Sequence, residues 1–469
     1  MSEGTAAGSQ GTAPAQEPVP LRRNRGFRML WIGQVLSGTG TDAVFIAYPL
    51  LVLVLTRSAA IAGAVGTVSF AVQLAVTLPG GALADRFDRR LTMIACDAVR
   101  AAALALLTVL VLAGLATWPA VLAVSVVDSA ANALFDPSAN AALPAIVADE
   151  QLEQAWAATE ARTSAASLAG PALGGILFGL GRAVPFGFDA VSYLASAVTV
   201  GRIRGAFRPT STDGRRALWR EAADGMRLAV RNPLLRGALV LGPLVNFAYN
   251  GVIFTITVAL RQHGTPPAVI GLVQAAIAVG GLAGAIAAPW LQRRLPMRRQ
   301  LILLNVAGTV LFTVAAFVLP SPLVAVPVAS VILLAPAANA TLSAAQARTT
   351  PEHMRGRVSS TVFLTAMSLT ALAPLTAGLI VQDFSGAWAL AVFAAAMGIA
   401  AVLSITMKGL RSPGRPGDDM QNEGAETRHL AGERLGHAAP VAAGPCRQAA
   451  PAAMSFAATE RLSVGKPPA

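Results

Sequence analysis

The stretch GGALADRFDRR, residues 80–90, lies between two long apolar runs in a chain of 469 residues. Its second half is densely charged, with Asp85, Arg86, Asp88, Arg89 and Arg90. Elsewhere charge is scarce, because only 13% of the residues are charged and 54% are hydrophobic. Soluble domains carry about 25% charged residues. The composition therefore predicts a membrane protein whose charges are concentrated in its turns.

Apolar runs of roughly 20 residues, long enough to cross a hydrocarbon core of about 30 Å, recur along the chain. We predict an all-α membrane protein with twelve transmembrane helices in two six-helix halves. The predicted helices occupy residues 27–55, 59–83, 91–114, 119–143, 158–180, 184–201, 236–260, 266–291, 300–319, 322–345, 358–381 and 386–407.

The two helical halves and the three segments outside them divide the chain into five parts. We predict a disordered N-terminal tail, two helical halves separated by a central loop, and a disordered C-terminal tail. In the central loop, ALWREAADGMRLAVRNP (217–233) predicts a surface helix with Leu218, Met226, Leu228 and Val230 on one face. The parts are residues 1–26, 27–201, 202–235, 236–407 and 408–469.

The net charge of +12 reflects membrane topology rather than a nucleic-acid footprint. One set of alternating loops carries most of the arginines, whereas the opposite set carries only Arg57, Arg182 and Arg261. Lys and Arg are retained on the cytoplasmic side of membranes. We therefore expect a multi-pass protein of the cell membrane, with both termini cytoplasmic, lipid as its surroundings and no nucleic-acid partner.

Motifs of soluble chemistry are missing from the sequence. The four histidines fall in predicted loops or the C-terminal tail, so they form no metal-ligand cluster, and Cys96 and Cys446 form no disulfide framework. The chain has no G-x-x-x-x-G-K-[S/T] phosphate loop, which argues against direct use of ATP. We expect no enzyme activity, no metal and no cofactor, with a proton gradient as the energy source.

The opening stretch carries a family signature. Residues 81–90 match G-x-L-a-D-r-x-G-r-[K/R], the loop signature of the major facilitator superfamily, and depart from it only at Asp88. The stretches DAVRA (97–101), FDPSANAALPAIV (135–147) and FDAVSYLASA (188–197) are similar to the branch of drug:proton antiporters that holds macrolide-efflux and enterobactin (siderophore) exporters. The resemblance covers about residues 27–407.

Residues around this signature predict a conformational switch. Small residues let the second helix approach a neighbour closely, and an aspartate can cap a facing helix. A latch formed in one state and broken in the other gives a two-state element. The alternative is that the arginines are ordinary cytoplasmic loop charges. The predicted switch residues are Gly81, Asp85, Arg86, Arg89 and Arg90, with Asp136 as their partner.

A second motif lies in the fifth predicted helix, at Gly170, Pro171, Gly174 and Gly175. It resembles the antiporter motif of the superfamily, G-x-x-x-G-P-x-x-G-G, although Ala166 replaces its first glycine. Proline bends a helix and glycine permits close packing. The resemblance implies antiport and a tight seal or pivot in this region, and the alternative is a general packing face.

Ionisable residues at membrane depth are costly and normally functional. Asp42, in the first helix, and Asp128, in the fourth, are therefore candidate proton carriers. The alternative is that such an acid has a structural role and is paired with another residue of the bundle. Asp97 and Arg100 are three residues apart and are predicted to pair with each other. Asp189 is predicted to cap or gate the outer end of the sixth helix.

A polar stripe at Asn246, Tyr249 and Asn250 on the seventh helix is a candidate cavity wall. The sequence thus predicts a monomeric secondary transporter that exports an amphiphilic small molecule, such as a drug, an antibiotic or a secreted metabolite. Proton antiport with alternating access is the expected mechanism. Proton-coupled uptake remains open, as does, with less support, a membrane sensor or scaffold that transports nothing.

Overall fold

A computed structural model of the protein describes residues 20–84, 87–203 and 225–407. Twelve helices in these ranges are long and apolar enough to cross a membrane, and the same ranges contain no β-strand. The prediction of an all-α membrane protein with twelve helices is confirmed. The helix bounds agree with the predicted ones to within a few residues, except that the fifth helix begins earlier.

The helices are numbered α1 to α12 in chain order. The first six are Arg25–Thr56, Ala59–Ala84, Arg89–Leu112, Trp118–Ile146, Leu152–Leu180 and Val184–Gly201. The second six are Pro233–Gln262, Pro267–Arg294, Met297–Val318, Pro322–Thr349, Arg355–Asp383 and Gly386–Thr406.

Side-chain caps begin several of these helices. The Asn24 carboxamide oxygen accepts from the Phe27 amide at the start of α1, and Asn232 does the same for the first turn of α7. Asp88 caps α3, because its Oδ1 accepts from the amides of Arg90 and Leu91 at 2.9 and 3.1 Å. Such caps satisfy amides that have no partner inside the helix. The residue that departs from the loop signature therefore starts α3.

Helices α10 and α11 are each interrupted. In α10, the segments Ala325–Ile332 and Ala335–Thr349 meet at a bend, and in α11 a 3₁₀ turn at Thr370–Leu372 precedes Ala373–Asp383. The segment after each break has a proline in its first turn, where the missing amide hydrogen is tolerated. Helix breaks at membrane depth are tolerated where neighbouring protein covers the backbone.

One predicted boundary needs correction, and part of the central loop is described. The N-terminal tail does not extend to residue 26, because residues 20–24 form a turn that buries Leu21 against the first half. In the central loop, residues 225–231 are helical. Leu228 packs against the buried cluster of Ala229 and Val358, whereas Met226 and Val230 are exposed. The predicted apolar face of this segment, directed at the membrane surface, stays a prediction. Residues 1–19, 204–224 and 408–469, including Leu218, lie outside the described residues.

The two six-helix halves meet through α2 with α11 and through α5 with α8. A β-carbon on Gly63 of α2 would collide with the Pro374 carbonyl of α11, and one on Gly378 would collide with the Ala59 carbonyl. Ser58 Oγ donates to Gln382 Oε1 across the same junction at 2.5 Å. These contacts lie beside Arg57, so the halves are packed together at the arginine-poor end of the bundle.

Candidate transport site

A cavity of about 460 Å³ lies between the two halves. Its volume falls in the range of small-molecule sites in proteins. The apolar part of its wall includes Phe45, Phe70, Ile253, Phe254, Ile277 and Pro374. The polar part includes Asp42, Gln73, Asp128, Asn132, Tyr249, Asn250 and Gln274. Both halves therefore contribute apolar and hydrogen-bonding groups to one space.

The predicted proton carrier Asp42 lies in the cavity wall on α1, beside Ser167 and Pro171 of α5. Its carboxyl group also interacts electrostatically with Arg162. Arg162 is held in turn by a 2.9 Å hydrogen bond from its Nη1 to the Gln34 carbonyl. The structure thus places an acid at membrane depth, in the cavity wall and within electrostatic range of a fixed cation.

The antiporter-like motif positions this acid. A β-carbon on Gly170 would collide with Asp42, and one on Gly174 would collide with the Ala43 carbonyl, so these glycines bring α5 against the α1 backbone. On another face of α5, Gly175 packs against Gly271 of α8 in the second half. The motif therefore joins the Asp42 segment to the junction between the halves.

The second candidate acid, Asp128, is paired with Arg100. Arg100 Nε donates to Asp128 Oδ1 at 2.7 Å, and Arg100 Nη1 donates to Asn132 Oδ1 at 3.0 Å. The predicted pairing of Arg100 with Asp97 is therefore wrong. The spacing of Asp128 and Asn132, four residues apart on one face of α4, offers two acceptors that match the guanidinium fork. Among the residues that the structure describes, neither carboxylate oxygen of Asp97 has a hydrogen-bond partner.

Two tyrosines complete this buried cluster. The Arg100 guanidinium carbon lies 4.0 Å from the ring centroid of Tyr193, within the range of a cation–π contact. The Tyr193 hydroxyl shares a 2.7 Å hydrogen bond with Thr41 Oγ1, and the Tyr48 hydroxyl lies 3.5 Å from Asp128 Oδ2. Sequence reasoning missed all three hydroxyl-bearing residues. A usable signal existed on α6, where four polar residues share one face: Asp189, Ser192, Tyr193 and Ser196.

Asp136, the predicted partner of the loop arginines, lies one turn from Asn132 on α4. Its Oδ2 accepts a 3.4 Å hydrogen bond from Asn132 Nδ2 and the carboxyl group interacts electrostatically with Arg100 and Arg162. These contacts connect Asp136 to the buried cluster. Asp85 and Arg86 lie outside the described residues, so their latch with Asp136 stays a prediction.

The two described arginines of the loop reach the ends of neighbouring helices. Arg89 Nη1 donates to the Ala141 carbonyl of α4 at 2.9 Å, and Arg90 Nη2 donates to the Gly201 carbonyl of α6. Carbonyls near a helix C-terminus attract cations. Arg89 and Arg90 therefore connect the start of α3 to two other helices of the same half. Gly81 lies within α2, one helix turn from the undescribed residues.

Of the predicted stripe on α7, Tyr249 and Asn250 line the cavity. The Asn246 amide instead donates to the Gly242 carbonyl of its own helix at 2.9 Å, and Asn246 is not among the wall residues. Gln274 of α8, which sequence reasoning missed, lies in the wall and donates to Thr257 Oγ1 at 2.8 Å. Within the described ranges, His, Cys, Asp and Glu form no group of three or more that could hold a metal ion.

Several proteins of known sequence are similar to this chain. Multidrug efflux pump Tap of Mycolicibacterium fortuitum is 26% identical over 343 residues, covering 70% of this chain and 83% of that protein. Multidrug efflux pump Tap of Mycobacterium tuberculosis is 28% identical over 376 residues, covering 76% of this chain and 87% of that protein. Macrolide efflux protein A of Streptococcus pyogenes is 27% identical over 269 residues, covering 55% of this chain and 65% of that protein.

Solved structures share the fold. A bacterial homologue of the iron transporter ferroportin, in an inward-facing state, superposes with a TM-score of 0.66 at 19% identity, covering 83% of this chain and 99% of that one. A variant of the nucleoside transporter NupG also superposes with a TM-score of 0.66, at 12% identity, covering 81% of this chain and 99% of that one. The sequence profile of the Major Facilitator Superfamily matches residues 30–369. With twelve helices enclosing a cavity between two halves, the chain belongs to the Major Facilitator Superfamily.

Proposed function

We propose that the protein is a secondary active transporter of the cell membrane that exports an amphiphilic small molecule in exchange for protons. Drugs, antibiotics and secreted metabolites are the substrate class. The efflux direction is supported by the similar proteins, which are multidrug and macrolide efflux pumps. Proton antiport is supported by the site itself.

The observation that carries the proposal is the position of Asp42. This acid lies in the cavity wall, and the antiporter-like motif packs directly behind it through Gly170. A carboxylate at membrane depth is costly and typically marks an ion or substrate pathway. A proton bound by Asp42 and a substrate bound in the cavity would occupy adjoining positions, so that one can displace the other.

The chemistry of the cavity favours an amphiphile. Aromatic side chains such as Phe45, Phe70 and Phe254 offer apolar surface, while Asp42 and Asn250 offer a negative charge and hydrogen bonds. Ligand sites of this kind use apolar walls for affinity and a few polar groups for orientation. A ligand with a large apolar body and a cationic or donor group satisfies both sets of groups.

The orientation follows from charge. The halves are packed together at the arginine-poor end, and arginine-rich loops are retained in the cytoplasm. With both termini cytoplasmic, this arrangement corresponds to a cavity that is closed toward the outside. In alternating access, the substrate then enters from the cytoplasm while Asp42 releases its proton, and the Asp85–Arg86 loop biases which side is open.

Transport into inverted membrane vesicles tests the proposal. An acidic lumen should drive accumulation of ethidium or erythromycin by the wild-type protein. Asp42→Asn should abolish that accumulation while leaving insertion into the membrane intact. Asp149→Asn, which changes an exposed acid outside the site, is the matched control and should transport normally.

The two alternatives predict different results in the same vesicles. Movement of the probe out of the lumen together with protons would indicate uptake by symport. Equal accumulation by wild-type protein and Asp42→Asn would remove Asp42 from the mechanism. Absence of any gradient-driven movement would contradict transport of these probes and favour a sensor or scaffold.

A further inference from the structure

Asp189 of α6 lies behind the cavity wall and is fully buried, with 0% of its surface exposed. Gly40 of α1 faces it directly, since a β-carbon at Gly40 would collide with Asp189 Oδ1. The bundle therefore contains a fitted space for this acid at membrane depth. Asp189 is not among the residues that line the cavity.

The carboxyl group of Asp189 is only half satisfied. Oδ1 accepts from Ser192 Oγ at 2.7 Å, whereas Oδ2 has no hydrogen-bond partner among the described residues. The nearby Tyr193 hydroxyl is directed to Thr41 Oγ1 at 2.7 Å and makes no hydrogen bond of good geometry with Oδ2. An unpaired charge in such surroundings is strongly disfavoured. Asp189 therefore requires either a proton or a cation.

The cation within electrostatic range of Asp189 is Arg100. Its guanidinium group is already engaged by Asp128 at 2.7 Å and Asn132 at 3.0 Å, and its remaining hydrogen bond, to Thr41 at 3.4 Å, is weak. Two acids on opposite sides thus compete for one arginine. Arg100 is paired with the acid that faces the cavity.

We propose that Asp189 is a proton-binding site of the transporter and that Arg100 couples it to Asp128 in the cavity wall. While Arg100 is paired with Asp128, Asp189 holds a proton. A cationic or hydrogen-bond-donating group of a substrate engages Asp128 and releases Arg100, which then pairs with Asp189. The Asp189 O–H bond breaks, its proton leaves to water on the open side, and the carboxylate keeps the electron pair.

Other charged and titratable groups around Asp189 are consistent with this exchange. From α1, Tyr48 interacts with both Asp189 and Asp128. On α3, Asp97 lies one turn from Arg100 and is equally buried. From α5, the charged residue at membrane depth is Arg162, which interacts with Asp42 and Asp136 instead. Arg100 is therefore the group through which occupancy of the cavity can reach Asp189.

The inference rests on the proposed antiport, because it supplies a way for substrate and proton to exclude each other. Its test does not require transport. Infrared spectroscopy of the full-length protein in lipid nanodiscs at neutral pH detects the C=O stretch of protonated carboxyl groups. The wild-type spectrum should contain a band that Asp189→Asn removes. Asp128, whose carboxylate is paired with Arg100 at 2.7 Å, should contribute no such band.

The decisive variant is Asp128→Asn. It frees Arg100 to pair with Asp189 and should therefore remove the Asp189 band although Asp189 itself is unchanged. Arg100→Gln should have the opposite effect, retaining the Asp189 band and adding one for Asp128. Asp97→Asn is the matched control, because it removes a buried acid on α3 and should leave the Asp189 band and its dependence on Asp128 unaltered.

Two results would overturn the proposal: no band that depends on Asp189 in the wild-type protein, or an Asp189 band that persists in Asp128→Asn. If Asp189→Asn does not fold, Ser192→Ala identifies the band instead, since loss of the hydrogen bond to Oδ1 shifts its frequency. A failure of proton-coupled efflux in vesicles, with the predicted spectra intact, would contradict the proposed function and leave the Arg100 exchange standing.

Discussion

Gly170 of α5 and Asp42 of α1 are packed without space for a side chain between them, since a β-carbon on Gly170 would overlap that of Asp42. The backbone carbonyl carbon of Asp42 would also lie 3.2 Å from that β-carbon. This contact joins the antiporter-like motif to the candidate proton carrier. The position of the carboxyl group therefore depends on the absence of a side chain on the neighbouring helix.

Gly170→Ala should displace α1 from α5, because neither backbone can yield without breaking helix geometry. Overpacking of this kind costs about 1–3 kcal/mol. We expect a lower melting temperature in detergent and at least a tenfold loss of proton-driven transport. Gly179→Ala, on the same helix with no atom within 4 Å of the new β-carbon, is the control. Equal transport by the two variants would contradict a role for the contact.

Gln382 of α11 holds the two halves together at the arginine-poor end. Its Oε1 accepts from Ser58 Oγ at 2.5 Å and from the Ala60 amide at 3.1 Å, both in the first half. Gln382→Leu should therefore favour the state that is open at this end. Spin labels at Arg182 and His263, which lie at the arginine-poor end in opposite halves, should report a larger population of long distances.

The matched control for this variant is Gln292→Leu. Gln292 donates to the Ala337 carbonyl within the second half at 3.4 Å, so its loss breaks a hydrogen bond that does not cross the junction. Its distance distribution should resemble that of the parent protein. In all labelled proteins the two native cysteines, Cys96 and Cys446, are replaced by serine. An unchanged distribution in Gln382→Leu would show that the cross-half hydrogen bonds do not hold this end closed.

The helices were predictable because hydrocarbon thickness imposes their length. The bounds of α1 and α6 lie within two residues of the predicted ones. Helix α5 was predicted from residue 158 but begins at Leu152, because its first turns carry Glu153 and extend beyond the apolar run. Helix continuation outside the membrane depends on local hydrogen bonding rather than on hydropathy.

The pairing of the buried charges was less predictable. Sequence spacing placed Asp97 and Arg100 on one face of α3, but the partner of Arg100 was decided by α4, whose Asp128 and Asn132 approach it across the helix interface. Such a contact joins residues 28 positions apart, and hydrophobic periodicity carries no information about it. The depth of Asp42 in the membrane could be predicted from the sequence, whereas its contact with Gly170 could be found only from the packing of α1 against α5.

Asp88 offers a test of how a departure from the loop signature is accommodated. Because its carboxylate caps α3, Asp88→Ala should destabilise the protein by about 0.5–2 kcal/mol. Asp88→Gly, which restores the residue usual in the superfamily, should cost only about a few tenths of a kcal/mol, since glycine is an acceptable cap. Thermal unfolding in detergent measures both. Equal loss in the two variants would mean that the carboxylate acts in some way other than capping.

The Arg100–Asp128 pair should be coupled in stability as well as in function. Arg100 is 3% exposed, and removal of one member of a buried pair leaves an uncompensated charge, at a cost of about 3–5 kcal/mol. Arg100→Met should therefore destabilise strongly. Asp128→Leu should cost less, because Arg100 can then pair with Asp189, and the double variant, which buries no charge from this pair, should lose less than the sum.

The wild-type protein, the two single variants and the double variant form a double-mutant cycle. Their unfolding by denaturing detergent in mixed micelles gives the coupling energy between Arg100 and Asp128 directly. Thr41→Val is the companion variant, because it leaves both members of the pair in place and removes the weaker 3.4 Å contact with Arg100 and the hydrogen bonds to Tyr193 and to the Ser37 carbonyl. Its effect should be about 1–2 kcal/mol, because each hydrogen bond contributes only about 1 kcal/mol net. Additive losses in Arg100→Met and Asp128→Leu would show that the two side chains do not depend on each other. Arg100 could then not serve as the shared partner of two acids.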